Sequence, residues 1–257
     1  MRKIALLAVN TFRESVRSKV PLAFFFCAIS LMLISALFSA TTIGDRIQLL
    51  KDFGLASVSL TTVTFVVIAG SSLLAKELQR RTIFNILARP VPRYEFLLGK
   101  FFGLFFTSIL LICIMGAALL ALLYCFNGAI DLSVMEAYGF MILELAIVCA
   151  TAIFFSSIVV TPSLNGLFTF GAFLAGRSVE YLANFSQDTD IPSILRYIAH
   201  ILYAVLPHLN RLYVANDTVY GISLTLRYFG WAALYACGYS ALLLALAAVA
   251  FERKNFS

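Results

Sequence analysis

Long apolar blocks alternate along the chain with short charged interruptions. Crossing roughly 30 Å of hydrocarbon takes about 20 apolar residues in a helix. Five blocks meet that requirement: 21–40, 56–75, 99–126, 136–160 and 227–251. A sixth, 164–182, is apolar as far as Gly176 and then carries Arg177 and Glu180. The run Pro162-Ser163-Leu164-Asn165-Gly166 separates it from the block before; proline interrupts a helix because it lacks the amide donor. In lipid every backbone polar group must be satisfied within its own segment, which leaves helices as the spanning element for blocks of this length. The pattern therefore predicts an all-α integral membrane protein with six transmembrane helices, residues 1–257 forming a single transmembrane domain.

Two further segments have helical periodicity without spanning length. Residues 4–20 place Ala8, Phe12 and Val16 on one face and Asn10, Arg13, Glu14 and Arg17 on another, the pattern of an N-terminal amphipathic helix lying in the interface. Residues 191–206 place Ile191, Leu195, Ile198 and Leu202 opposite Arg196 and His200, and stop at Pro207. That stretch reads as an outer re-entrant or interfacial helix between spans five and six.

Composition agrees: 61% of residues are hydrophobic and 12% charged, against roughly 45–50% and about 25% in soluble domains. The net charge of +6 comes with no basic run interleaved with exposed aromatics, so no nucleic-acid partner is implied. Lys and Arg are retained on the cytoplasmic side. With both termini there, 13 of the 19 are cytoplasmic, and Arg46, Lys51, Arg177, Arg196, Arg211 and Arg227 face outward. The first block, preceded by 20 residues, reads as a retained span rather than a cleaved signal. The five cysteines lie inside apolar blocks without C-x-x-C spacing, and His200 and His208 have no partners at ligand spacing, so no metal site is expected. No catalytic or cofactor-binding constellation can be drawn.

The segment between spans two and three is the most informative. Residues 76–100 carry six cations, with Leu78, Ile83, Ile86 and Leu87 at helical spacing before a corner at Pro90 and Pro92. Such an elbow suits docking on a soluble partner and passing a push to two spans; a loop that only touches lipid headgroups would carry the same charges. Glu77, Arg81-Thr82, Leu87-Ala88-Arg89-Pro90-Val91-Pro92-Arg93 and Leu98-Gly99-Lys100 together resemble the signature of ABC transporter permeases of the type-2 exporter class. Arg81 stands where that class often has glycine. Asn10–Arg17 is similar to the class's interfacial elbow, and Ala204–Asn210 to its outer segment before the last span.

The resemblance implies a two-fold assembly with a second copy of the chain or a related permease. Each subunit would rest on a separate cytoplasmic ABC ATPase that binds ATP and Mg. Residues 77–93 would be the cytoplasmic coupling helix between spans two and three, with Glu77, Arg80, Arg81, Thr82, Phe84, Leu87, Arg89, Pro90 and Arg93 as its contact residues. The implied location is the bacterial inner membrane, among lipid and with room for a periplasmic partner protein. No G-x-x-x-x-G-K-[ST] phosphate loop occurs in the chain, so the expectation is a non-enzymatic subunit whose motor is another chain. Two other readings are a polytopic enzyme acting on lipid, which should cluster polar residues in its spans, and an ion-coupled carrier or channel, which should show an internal repeat.

Within the spans, Glu144 is a carboxylate well inside block four, which would cost about 2.5–3.5 kcal/mol if left charged at the centre. Counting depth, it can meet Arg177. The pair reads as an interhelix tie or as part of a translocation path. Ser57, Thr61, Thr64 and Ser71 share one face of span two and either pack helices closely or line such a path. Gly99 and Gly103 form a small-xxx-small pair.

Overall fold

The computed structural model describes residues 2–41, 46–79, 92–127, 132–159, 161–181, 193–213 and 226–252, and no strand occurs among them. In chain order the helices are α1 (Arg2–Arg17), α2 (Val20–Thr41), α3 (Arg46–Gln79), α4 (Arg93–Asn127), α5 (Leu132–Ile158), α6 (Pro162–Arg177), α7 (Ser193–Val205) and α8 (Leu226–Glu252), with a 3₁₀ turn at Leu209–Leu212 between the last two.

Five of these are long and apolar enough to cross a membrane: α2, α3, α4, α5 and α8. In the sixth block the helix opens at Pro162 rather than at 164. Its helix runs from Pro162 to Arg177, 16 residues and so about 24 Å at 1.5 Å per residue, short of a full crossing by itself. Pro162 opens it because the first helical position leaves its amide unused anyway. Helix α3 begins at Arg46 rather than at 56: Lys51, which is buried, and half-buried Asp52 sit within its first turns. Helix α4 likewise begins at Arg93, just after Pro92, whose carbonyl accepts from the Glu95 and Phe96 amides. Hydropathy marks where hydrocarbon begins, whereas a helix can carry polar turns out into the interface.

Helices α3 and α5 form the centre: 67% of each span window is buried, against 17% for α2 and 28% for α8. Helix α5 touches α3, α4, α6 and α8, and α3 touches α2, α4, α5 and α6. On α8 the inward face is a single stripe of mostly small side chains, Ala232, Ala236, Ser240, Leu243, Ala247 and Phe251, recurring every three or four residues. Small side chains let helices approach where lipid gives no hydrophobic drive for them to associate. Where the stripe meets α5, Phe229 packs edge-on to Phe140 with ring centroids 5.3 Å apart.

The N-terminal helix is also corrected. It spans residues 2–17 rather than 4–20, and the face it turns to α4 is Leu7, Ala8 and Thr11, which shares Ala8 with the apolar line of Ala8, Phe12 and Val16. Val16, Leu6 and Val9 are exposed. The reason lies on α4. A side chain at Gly99 would fall 2.5 Å from Leu7 Cβ, and one at Gly103 would fall 2.5 Å from Thr11 Cβ and 2.9 Å from the Ala8 carbonyl. Glycine at both positions therefore makes the groove in which α1 lies.

Candidate functional site: an ion pair clamped between three helices

At the C-terminal end of α6, Arg177 points into the bundle and meets Glu144 of α5. Its Nε donates to Oε1 and its Nη2 to Oε2, each at 2.9 Å. Nη2 also donates to Ser59 Oγ of α3 at 2.7 Å. The carboxylate is 1% exposed and the arginine side chain 24%. The guanidinium lies over the Tyr213 ring, 3.7 Å from its centroid, with the Phe173 ring centroid 5.1 Å away. A fork-to-fork arginine–carboxylate pair fixes orientation as well as charge, and aromatic faces further stabilise a desolvated cation. Three helices and the residue after the 3₁₀ turn thus converge on one guanidinium.

The segment 206–213 covers this pair. A side chain at Gly176 would fall 2.8 Å from the Pro207 carbonyl, so the segment comes down directly onto the end of α6. Leu209 and Leu212 are buried beneath it. From above it is held by α8: Tyr228 Oη donates to the Arg211 carbonyl at 2.8 Å, Tyr239 Oη donates to the Val205 carbonyl at 2.8 Å, and the His208 amide donates to Tyr235 Oη at 2.9 Å. Residues 228, 235 and 239 share one face of α8, one set of phenols pinning one stretch of backbone. Burial raises the Tyr213 phenol above its ordinary range, opposed by the charge of Arg177. Burial, and then the charge of Arg211, lower the His208 imidazole.

The hydroxyl row of α3 is directed back onto its own helix. Ser57 donates to the Phe53 carbonyl, Thr61 to Ser57, Thr64 to Leu60 and Ser71 to Ile68. Thr61 faces Met115 of α4, its hydroxyl 3.6 Å from Sδ, whereas Ser71 faces Gly166 of α6. Ser57, Thr61 and Ser71 are buried and Thr64 is half-buried. Of the coupling residues, Glu77 lies in the last turn of α3 and Arg93 opens α4, with no side-chain description for either. Arg80, Arg81, Thr82, Phe84, Leu87, Arg89 and Pro90 lie outside the described residues.

The sequence reading missed Ser59, Phe173, Tyr213 and the three tyrosines of α8. The tyrosine spacing was available as a signal. Ser59 carried none, because it lies off the hydroxyl face that the spacing of Ser57, Thr61 and Thr64 defines.

Among the described residues no group of His, Cys, Asp and Glu is placed to hold a metal. Both carboxylate oxygens of Glu144 are occupied by arginine, which suits the site to fixing helices rather than to reacting. Long apolar helices tied by a charge pair define a polytopic membrane protein. The sequence profile of the ABC-2 family transporter protein matches residues 16–176, and the chain belongs to that family: it is the membrane subunit, or permease, of an ABC transporter. No curated protein matches the chain.

Proposed function

We propose that this permease is the six-span subunit of an exporter in the bacterial inner membrane, with both termini cytoplasmic. It works as a dimer driven by a separate ABC ATPase that binds ATP and Mg. The observation supporting this is the family match over residues 16–176, which includes the cationic elbow at 76–93. That elbow joins α3 and α4, helices of 34 and 35 residues. A displacement applied between them travels along two long rods, one of which touches α2, α4, α5 and α6. The block 164–182 makes the sixth crossing, and Arg177 anchors α6 within it.

The test is coexpression with candidate ABC ATPases, the first candidate being any phosphate-loop ATPase found beside this gene. A buried apolar anchor carries most of the affinity of a docked interface, while rim charges govern encounter and orientation. Phe84→Ala with Leu87→Ala should weaken copurification of the ATPase more than tenfold, or uncouple its hydrolysis, while insertion and dimerisation persist. Arg93→Ala should do less, and its effect should shrink at high salt. An unchanged complex and ATPase rate in the double variant would return the elbow to a headgroup-contacting loop. Cysteines at positions 5, 130 and 255 should label from inside, outside and inside; external labelling at 255 would sink the six-span topology.

A further inference from the structure

At the end of α8 where the span begins, a cavity of about 310 Å³ opens between the first turns of that helix and the 3₁₀ turn. His208, Arg211, Tyr228, Trp231 and Tyr235 line it, above Leu212. No acidic residue lines it among the described residues. Arg211 is exposed, and its backbone is held in place by the Tyr228 hydroxyl on its carbonyl. Tyr235 Oη accepts from the His208 amide, which leaves its own proton to donate. The wall is thus one cation on a held backbone, one imidazole, two phenols and an indole.

We propose that this cavity binds the headgroup of a membrane phospholipid, with the phosphodiester on Arg211 and the glycerol and upper acyl chain against Trp231 and Tyr228. Three observations choose a lipid over a dissolved anion. The first is depth: the span of α8 opens at Arg227, so the cavity lies at the boundary where tryptophan and tyrosine characteristically sit. The second is continuity, because both flanks carry exposed apolar side chains. Trp231 and Leu234 of α8 are 63% and 66% exposed. On α7, Ile194, Ile198, Ile201, Leu202 and Val205 are exposed as well, an apolar face that needs hydrocarbon beneath it. The third is size: 310 Å³ equals the share of roughly ten liquid waters, which suits a phosphodiester with its glycerol better than a bare ion. The inference needs only that α8 crosses the bilayer, and it stands whichever way the permease faces.

Trp231 is the sole tryptophan of the chain, so its emission reports the cavity directly. Purified full-length protein in a zwitterionic detergent is titrated with a short-chain phosphatidylglycerol, with the diacylglycerol of the same chain length, and with sn-glycerol 3-phosphate or inorganic phosphate. Phosphatidylglycerol should give a saturable blue shift, and the other probes should give none over the same concentrations. Arg211→Gln should raise the half-saturating concentration about tenfold, while Arg211→Lys, which keeps the charge, should stay within about threefold. An equal response to diacylglycerol would reduce the cavity to an apolar contact. An equal response to either soluble phosphate would make it a dissolved-anion site. An unchanged half-saturation in Arg211→Gln would remove the arginine from the recognition. Each of these overturns the proposal, and the comparison of probes on the unaltered protein decides it even where Arg211→Gln fails to fold.

Discussion

Arg177→Gln should destabilise the protein more than Glu144→Gln, although both break the same pair. The asymmetry follows from what each change leaves behind. Without Arg177, a carboxylate that is 1% exposed loses both hydrogen bonds to the guanidinium. Removing one partner of a buried pair costs about 3–5 kcal/mol, unless the orphaned group takes up a proton instead. Without Glu144, the guanidinium keeps its bond to Ser59 and its stack on Tyr213, and a quarter of the side chain already reaches the surroundings. A cation over a desolvated aromatic face retains about 2 kcal/mol, so the net loss should be only about 2 kcal/mol. The double change leaves two neutral amides able to bond each other. Its loss should fall short of the additive value by about 2–3 kcal/mol, within the range seen for groups in direct contact. Unfolding free energies from titration with a denaturing detergent, followed by circular dichroism, would measure all three variants. An equal or larger loss in Glu144→Gln, or additivity within about 0.5 kcal/mol, would refute the clamp as described.

The other expectations concern the packing around that pair. Gly103→Val would drive a side chain into Thr11 and the Ala8 carbonyl, costing about 1–3 kcal/mol of overpacking; hydrogen exchange in residues 2–17 should quicken while α5 and α8 stay protected. Tyr239→Phe removes the hydroxyl from the Val205 carbonyl and should cost about 1 kcal/mol, seen as faster exchange at the C-terminal end of α7 and no change in α1. The imidazole of His208 is held below its ordinary value by burial and then by Arg211, so the unfolded segment takes up the proton first. Stability of residues 206–212 should therefore be full above pH about 6.5 and fall as the pH drops through the depressed folded value. Exchange rates of that segment measured between neutral pH and pH 5 would show the loss, and His208→Gln should flatten it.

What could be read from the sequence divides along a physical line. Where a helix is apolar was legible, because twenty hydrophobic residues in a row have few other uses. Which side of it faces protein was not, because lipid is as apolar as a protein core. Phe65 is 1% exposed and Phe106 51%, yet both sit in equally apolar blocks. The most hydropathic span, α4, is only one-third buried, while α3 and α5, which are less hydropathic, are two-thirds buried. Hydropathy here does not order the spans by burial, since α8 is less hydropathic than α5 and yet only 28% buried. Residues that are poor lipid neighbours carry the packing information instead. Glycines 99 and 103 mark the bed of α1, and the alanines of α8 mark its seam with α5. Glu144 and Arg177 show why charges are more telling still. A charge inside a span must find a partner at its own depth, so counting residues from the interface was enough to bring these two near each other. The rest of the clamp, Ser59, Phe173 and Tyr213, obeys no such constraint. Hydroxyls can satisfy themselves on their own helix, as Ser57, Thr61, Thr64 and Ser71 do, and aromatic rings are content in lipid. Their place beside Arg177 follows from how α3, α6 and the segment 206–213 cross, which is a property of packing and not of composition.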